Sequence, residues 1–499
     1  MYRLVDMKEG FDLKEEAPVS SPDGSGAAGD EFSEAGYEEM ISRLFVRFPS
    51  FQRDGASAYK PGLAGMEFFD SLNGRPHEKY PCVHVAGTNG KGSVCSMLAA
   101  VLASSGLRVG LYTSPHILDF RERMRVVDGR GASAGMPPDM SLISEREVWD
   151  FVCRWRETFD HLDLSFFEIT TSMAFDWFAG KKVDVAVIET GLGGRLDSTN
   201  VVTPVLSIIT NIGLDHCDVL GGTLPEIAFE KAGIIKPGVP AVVGESDPET
   251  DPVFERKVLY SNSSDPTYMG NSQRIMGLLT FADKTVPSGW ERHGDLLASM
   301  DLQGSYQIRN LRTVLAAVDV LRRKWTLEQD AVENAIVHAA SWTGLHGRWE
   351  LVSEDPRIIC DIGHNAHGLK YNFARLADML ASGEADPLVI VYGSVADKDY
   401  ESVFPLIPSG ATLIFTSAEG RRACPAKILK EKFEAYRPGR SDTVLSAATV
   451  PEAMRLALDV VSGMRDRRSG AADGAAPLIY VGGSTYVVSE AMAFLGAET

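Results

Sequence analysis

Three things are scarce in this 499-residue chain, and each narrows what it can be. Cysteine is the first: the six (Cys82, Cys95, Cys153, Cys217, Cys360, Cys424) are scattered with no Cys-x-x-Cys pair. That argues against disulfides or a cysteine zinc site and suits buried thiols in a reducing compartment. Long apolar runs are the second, since none approaches the ~20 residues that cross a bilayer. The start, Met1 to Asp6, also lacks the basic-then-apolar pattern of a signal peptide. Positive charge is the third: a formal net charge of −19 argues against a general nucleic-acid or membrane-surface binder. The expectation is a cytoplasmic monomer that acts on small molecules, with no nucleic-acid and no membrane partner.

What the chain does have is the stretch Val83-His84-Val85-Ala86-Gly87-Thr88-Asn89-Gly90-Lys91-Gly92-Ser93-Val94. An apolar run enters a loop with three glycines, and Ser96 to Leu102 then reads as a helix. Backbone N–H groups at such a turn, with the partial positive charge of a helix N-terminus, cradle phosphate. Lys91 adds a full charge for the outer phosphates. The spacing departs from Gly-x4-Gly-Lys-Ser/Thr, because Gly92 intervenes before Ser93. Even so, the pattern implies binding of a nucleoside triphosphate.

The chain is long enough for several domains and large cores. Residues 8–36 are acidic and rich in Ser, Gly, Ala and Asp, so residues 1–36 are expected to be a disordered segment without assigned function. Tyr37 to Phe48 reads as an amphipathic helix. From Tyr80, apolar strands alternate with helices, which signals a parallel sheet with crossover helices. The clearest strands are 81–86, 108–113, 183–189, 205–210 and 240–244. Residues 128–144 read as a surface loop, and 247–289 as loops around short strands. Residues 309–322 form a strong helix. Beyond Gly344 to Arg348 the composition shifts, and strands at 357–360, 388–392, 412–415 and 478–481 announce a second, smaller α/β domain with a flexible loop at 466–477. The domain expectation is 37–345 for the nucleotide domain and 346–499 for the second.

Ligands collect at the carboxyl ends of parallel strands. Here those ends carry Ser114 in Thr113-Ser114-Pro115-His116, Glu189 before Thr190-Gly191-Leu192-Gly193-Gly194-Arg195-Leu196-Asp197, and His216 in Gly213-Leu214-Asp215-His216. A hydroxyl, a carboxylate and an imidazole beside a phosphate loop suit Mg²⁺, although His is the less typical ligand. Ser114 as a turn residue and His216 as a satisfied polar group stay open. Glu189 is harder to dismiss, because a buried carboxylate needs a partner. Thr223-Leu224-Pro225-Glu226 is a capping box that opens a helix carrying Lys231 on its apolar side. Periodicity alone favours a lysine that snorkels to water. The alternative is an amine whose pKa is lowered by desolvation.

Taken together, the motifs resemble folylpolyglutamate synthase and the bifunctional dihydrofolate synthase/folylpolyglutamate synthase of the Mur ligase superfamily. The likeness runs over residues 37–499. It rests on the loop 87–93, Thr113 to His116, Phe166-Phe167-Glu168, Gly191 to Asp197, Gly213 to His216 and Glu230 to Gly238. It continues in Gln307-x-x-Asn310, Gly347-Arg348, Asp361-x-Gly363-His364-Asn365, Asp397-Lys398-Asp399 and Gly483 to Tyr486. His346, Leu311 and Ala366 depart from the family pattern.

The resemblance implies an α/β fold: a P-loop Mur-ligase-type domain with a parallel sheet, followed by a smaller Rossmann-like α/β domain. It implies an ATP-dependent ligase that adds L-glutamate to dihydropteroate or to the γ-carboxylate of a reduced folate through an acyl phosphate. By the same carry-over, Thr88, Asn89, Gly90, Lys91, Gly92 and Ser93 cradle the triphosphate. Asn310 meets the adenine, Arg348 the phosphates and Asp361 the ribose side, with His364 in the same cleft. Ser114, Glu189 and His216 hold Mg²⁺, with two magnesium sites expected, and Lys231 matches a lysine carried as a carbamate. Lys231, Glu189, His216 and Arg348 are the expected catalytic set. Ser165, Phe166, Phe167, Glu168, Leu196, Asp197 and Ser198 are the expected pterin pocket, because a phenyl ring stacks on a flat heterocycle and a carboxylate accepts paired N–H bonds. Plain core packing for the phenylalanines and a turn cap for Asp197 are the structural alternatives. A cell-wall amino-acid ligase of the superfamily, or a regulator that has lost ligation, are the competing functions. The first of these is expected to carry a further N-terminal domain, whereas here about eighty residues precede the loop.

Overall fold

The computed structural model describes residues 31–55, 60, 62–131, 136–264, 271–284, 286–287, 289–291, 293–437, 443–467 and 476–498. The chain folds into two α/β domains, each built on a mostly parallel sheet. The first sheet contains β1 (Cys82–Ala86), β2 (Arg108–Tyr112), β3 (Met124–Asp128), β4 (Asp139–Leu142), β5 (Val185–Glu189), β6 (Leu206–Ile209), β7 (Ala241–Val243) and β8 (Leu279–Phe281), in the spatial order β4-β3-β2-β5-β1-β6-β7-β8.

The middle strands β1, β5 and β6 are buried at every position, as expected where helices cover both faces. Successive side chains of β5 divide between the two faces: Val185 and Val187 join one core, Ala186 and Ile188 the other. The first core is filled by the helices Lys91–Ser104 and Gln307–Leu321, the second by Glu34–Arg47, Glu145–His161 and Phe166–Lys181. Helix Lys91–Ser104 is buried from Gly92 to Ala103, which is why it shows no polar face.

The second sheet contains β9 (Glu350–Glu354), β10 (Arg357–Asp361), β11 (Ala385–Tyr392), β12 (Thr412–Phe415), β13 (Val444–Ser446) and β14 (Ala476–Gly482), in the order β13-β12-β11-β14-β10-β9. Among the described residues only the β9–β10 strand pair is antiparallel in it.

Several expectations need correction. The first helix begins at Glu34, not Tyr37, because the Ser33 side chain caps it by accepting from the Gly36 N–H. The rest of the expected disordered segment, residues 1–30, lies outside the described residues. Within the expected loop 128–144, residues 139–142 form β4, paired antiparallel to β3, while 132–135 lie outside the described residues. In the expected loop 466–477, a helix continues to Arg467 and β14 starts at Ala476; residues 468–475 lie outside the described residues. Among the described residues no helix is long and apolar enough to cross a membrane.

Candidate active site

The sheet order puts β1 between β5 and β6, all parallel, with Val85 opposite Glu189 and Ala86 opposite Ile209. The glycine loop that follows β1 therefore lies between Glu189 and the turn leading to His216. This is the position where strand order reverses and ligands bind in open α/β sheets.

The loop is held from below. Thr88 N–H donates to the Asn211 carbonyl at 3.0 Å, and Asn89 N–H to Asn211 Oδ1 at 2.9 Å. Thr88 Oγ1 donates to the Gly213 carbonyl at 3.2 Å and accepts from Gly213 N–H at 3.0 Å. Two glycines are required here. A Cβ on Gly87 would lie 1.8 Å from Thr210 Oγ1, and Gly90 caps the helix in the left-handed region with φ 83°, where a Cβ would lie 2.2 Å from Asn310 Oδ1. Lys91 Nζ folds back onto the carbonyls of Gly87 (3.1 Å) and Thr88 (3.4 Å). Ser93 Oγ accepts from Gln307 Nε2 at 3.2 Å, and Gln307 Oε1 accepts from Asn310 Nδ2 at 2.7 Å. The expected adenine contact, Asn310, is thus packed against the loop itself.

Glu189 is 3 % exposed, and its Oε2 accepts from Ser114 N–H at 3.2 Å. Burial raises its carboxyl pKa, while the charges of Lys91 and Arg348 pull it down. Arg348 arrives from the start of the second domain, with Nη2 3.0 Å from where a Cβ on Gly92 would stand. Lys231 does not snorkel: it is 4 % exposed, and its Nζ donates to the Gly87 carbonyl at 3.0 Å. Burial, then the neighbouring Lys91 charge, lowers its pKa to about 7. Helical periodicity misled here because the helix's apolar side faces the floor of the cleft.

The second domain closes the site. Asp361 accepts at Oδ2 from Tyr306 Oη and from Trp349 N–H, both at 2.8 Å, and at Oδ1 from Gly363 N–H at 2.8 Å. The residue expected at the ribose therefore also ties the domains together. Asp215 accepts from Asn365 Nδ2 at 3.0 Å and from Lys398 Nζ, with His364 Nε2 3.4 Å away. Burial would raise its carboxyl pKa, but His364, His216 and Lys398 hold it well below the usual carboxylate range. His216 Nε2 lies 3.3 Å from Lys398 Nζ, and burial lowers the imidazole pKa to about 3. Asp215, Asn365 and Lys398 stand inside motifs noted in the sequence, yet their meeting across the domains was not legible there.

One cleft of ≈ 360 Å³ takes in the loop, Ser114, Glu189, His216, Lys231, Asn310, Arg348, Asp361 and His364. The same cleft is also lined by Ser165, Phe166, Phe167, Leu196, Asp197 and Ser198. Glu168, expected with them, is not among its lining residues. Its Oε2 accepts from Ser165 N–H and Oγ, both at 2.7 Å, as half of a capping box. Asp197 lines the cleft and also caps a turn, accepting from Thr199 N–H at 3.0 Å and Leu192 N–H at 2.8 Å. Phe166 stacks on Phe45 and lies beneath the buried Arg123 guanidinium, 5.2 Å from its centroid. Arg123 also lines the cleft and donates to His116 Nδ1 at 2.9 Å. Sequence reasoning missed it, because its charge gave no hint that it would be enclosed.

The Ser114–Glu189 pair fits a magnesium ion, which binds through one or two carboxylates plus phosphate oxygens. His216 fits less directly, since its Nε2 faces the Lys398 ammonium and would have to exchange that partner. Among the described residues no three His, Cys, Asp or Glu side chains gather as a protein-only metal site.

The family described as "Mur ligase, glutamate ligase domain" matches residues 347–467. The dihydrofolate synthase/folylpolyglutamate synthase of Bacillus subtilis is 35 % identical over 396 residues, covering 75 % of this chain and 85 % of that protein. Folylpolyglutamate synthase of Mycobacterium tuberculosis, solved in complex with ADP, superposes with a TM-score of 0.72 at 25 % identity, covering 93 % of this chain and 98 % of that one. The bifunctional folylpolyglutamate synthase/dihydrofolate synthase of Yersinia pestis, solved with AMPPNP and a manganese ion, gives a TM-score of 0.69 at 25 % identity over 93 % of this chain and 100 % of that one.

Proposed function

The chain belongs to the dihydrofolate synthase/folylpolyglutamate synthase family, and on that premise we propose how its cleft joins an acid to L-glutamate and which acids it takes. The protein is an ATP-dependent ligase of folate metabolism that adds L-glutamate, with ATP and a divalent cation as cofactors. The observation that carries the account is the β5–β1–β6 register, which sets Glu189 and the phosphate loop side by side under the second domain.

In our reading the backbone N–H groups of residues 88–93 and the Lys91 ammonium hold the triphosphate. Ser114 and Glu189 would hold magnesium, which would supply neutralisation of the negative charge that develops as the phosphoryl group is transferred. His216 is the candidate ligand of a second cation. A carboxylate oxygen of the acid forms a bond to the γ-phosphorus as the β–γ bridging P–O bond breaks, releasing ADP. Lys91 and Arg348 face the transferring group, so positioning and charge do the work without a covalent nucleophile. The amine of L-glutamate then bonds to the acyl carbon, loses a proton, and inorganic phosphate leaves with the original carboxylate oxygen. The second domain, seated on the loop through Asp215 and Asp361, keeps water from the acyl phosphate.

We read the wall formed by Phe166, Phe167, Leu196, Asp197 and Ser198 as a pterin pocket, and so the enzyme as bifunctional, using dihydropteroate as well as reduced folates. That Phe166, Phe167 and Asp197 line the same cleft as the phosphate loop supports this. We also read the protein as a cytoplasmic monomer without nucleic-acid or membrane partners, in keeping with its negative charge. The two domains are taken as 37–345 and 346–499, in keeping with the second sheet beginning at Glu350.

The test is steady-state phosphate release from ATP with L-glutamate plus either dihydropteroate or tetrahydrofolate. Release with both acids is expected; release with tetrahydrofolate alone would restrict the enzyme to tail extension.

A further inference from the structure

Asp215 belongs to the first domain, in the turn after β6, yet the groups that surround its side chain come largely from the second. Asn365 Nδ2 donates to Oδ2 at 3.0 Å, His364 Nε2 stands 3.4 Å from the same oxygen, and Lys398 Nζ donates to Oδ1. These partners lie 150 and 183 residues away for Asn365 and Lys398, so they meet Asp215 only when the domains are together.

Asn365 extends the contact to the phosphate loop. Its Nδ2 donates to Asn89 Oδ1 at 3.1 Å, and its Oδ1 accepts from Asn89 Nδ2 at 3.2 Å, a reciprocal amide pair across the domain boundary. The same Oδ1 accepts from Gly368 N–H at 2.8 Å and so caps the helix Ala366–Ala381, which directs the positive end of that helix toward Asp215. Asn89 Nδ2 also lies 3.1 Å from His367 Nδ1.

We propose that Asp215 is a positioning residue: its carboxylate gathers Asn365, His364 and Lys398 and thereby seats the second domain on the phosphate loop. The proposal rests on the ligase reading for the nucleotide that fills the loop, and it adds the residue that sets closure. Asp215 is 9 % exposed in the closed arrangement, and separating the domains returns both its charge and that of Lys398 to water. A buried carboxylate that loses its partners is strongly disfavoured, as is an ammonium left facing a neutral amide. Closure therefore has few intermediate arrangements. Because Asn89 belongs to the loop and its side chain pairs with Asn365, a nucleotide held by the loop's N–H groups and the second domain on Asp215 meet at one residue.

The test is small-angle X-ray scattering of the full chain with increasing AMPPNP and magnesium, without acid or glutamate, so that loss of ligase chemistry leaves the readout intact. Wild type is expected to contract as nucleotide is added. Asp215→Asn and Lys398→Met should stay extended or require at least about tenfold more nucleotide to contract, the equivalent of losing one charge-assisted contact. Lys398→Arg, which keeps the charge, should recover contraction. Circular dichroism and thermal melting check the fold, and where Asp215→Asn does not fold, the Lys398 pair decides. Contraction of Asp215→Asn and Lys398→Met at the wild-type nucleotide concentration would overturn the proposal, as would a wild-type chain whose dimensions do not respond to nucleotide.

Discussion

Lys231 Nζ and Lys91 Nζ donate to one acceptor, the Gly87 carbonyl, at 3.0 and 3.1 Å. Lys231 is enclosed, and its burial first, then the repulsion from the Lys91 ammonium on the same oxygen, lower its pKa to about 7. Near neutrality a substantial share of Lys231 is then the free amine, the form that adds to carbon dioxide. A carbamate there would turn repulsion with Lys91 into attraction.

The lowered pKa fixes a sign for stability. The folded Lys231 releases its proton near pH 7, whereas in the unfolded chain it keeps it to about 10.5. Between those values the unfolded state binds more protons, so stability rises with pH, and below about 7 the full cost of burying the ammonium is felt. Lys231→Met should therefore stabilise the uncarbamylated protein by on the order of a few kcal/mol at about pH 6, with the gain shrinking by about pH 9. Urea unfolding in carbon-dioxide-free buffer measures it, and a gain that does not change with pH would argue against a strained amine.

Lys231→Ala should lose at least about a hundredfold in kcat, with part of the loss restored by added short-chain carboxylates that occupy the vacated space. A crystallographic map of fully active enzyme with a bare amine at Lys231 would contradict the carbamate.

Glu189→Gln keeps the shape of the side chain, and its amide oxygen can still accept from Ser114 N–H. The fold should remain, while kcat falls by about a hundredfold or more because the carboxylate charge facing the phosphates is gone. Near-normal turnover at saturating magnesium would remove Glu189 from the cation site.

Glu168 and Asp197 separate stability from substrate choice. Glu168→Gln retains a weaker capping box and should cost under about 1 kcal/mol, leaving KM for both acids unchanged. Asp197→Ala removes a cap and should cost about 1 kcal/mol. It should also impair dihydropteroate use more than tail extension. Equal loss with both acids would reduce Asp197 to its cap.

The central parallel strands were legible because burial on both faces demands continuous apolar runs, as in Val185 to Ile188, whereas the interior antiparallel strand β3, with Arg125 in its middle, was not. Nor were the edge strands. Asp139 to Leu142 and Glu350 to Glu354 are half-exposed, and their polar residues look like loop. Arg125 sits inside β3, where its Nη1 donates to Thr113 Oγ1 at 3.1 Å and its Nη2 to the Gly344 carbonyl at 3.1 Å, partners that no local pattern announces. Ser165-x-x-Glu168 has the same spacing as Thr223-x-x-Glu226, so its capping box is legible in the sequence. The strand-end residues could be located from sequence because each closes an apolar run. The contacts of Asp215, Asp361 and Lys398 could not, because they depend on how the two domains meet.

In the proposed mechanism the acid is activated by taking a phosphoryl group before the amine arrives. This step is tested most directly with dihydropteroate or tetrahydrofolate carrying ¹⁸O in the reacting carboxylate, followed by mass analysis of the inorganic phosphate released during glutamate addition. The prediction is one ¹⁸O per phosphate, since the bridging oxygen of the acyl phosphate departs with phosphorus. Phosphate free of label, with product still formed, would contradict it.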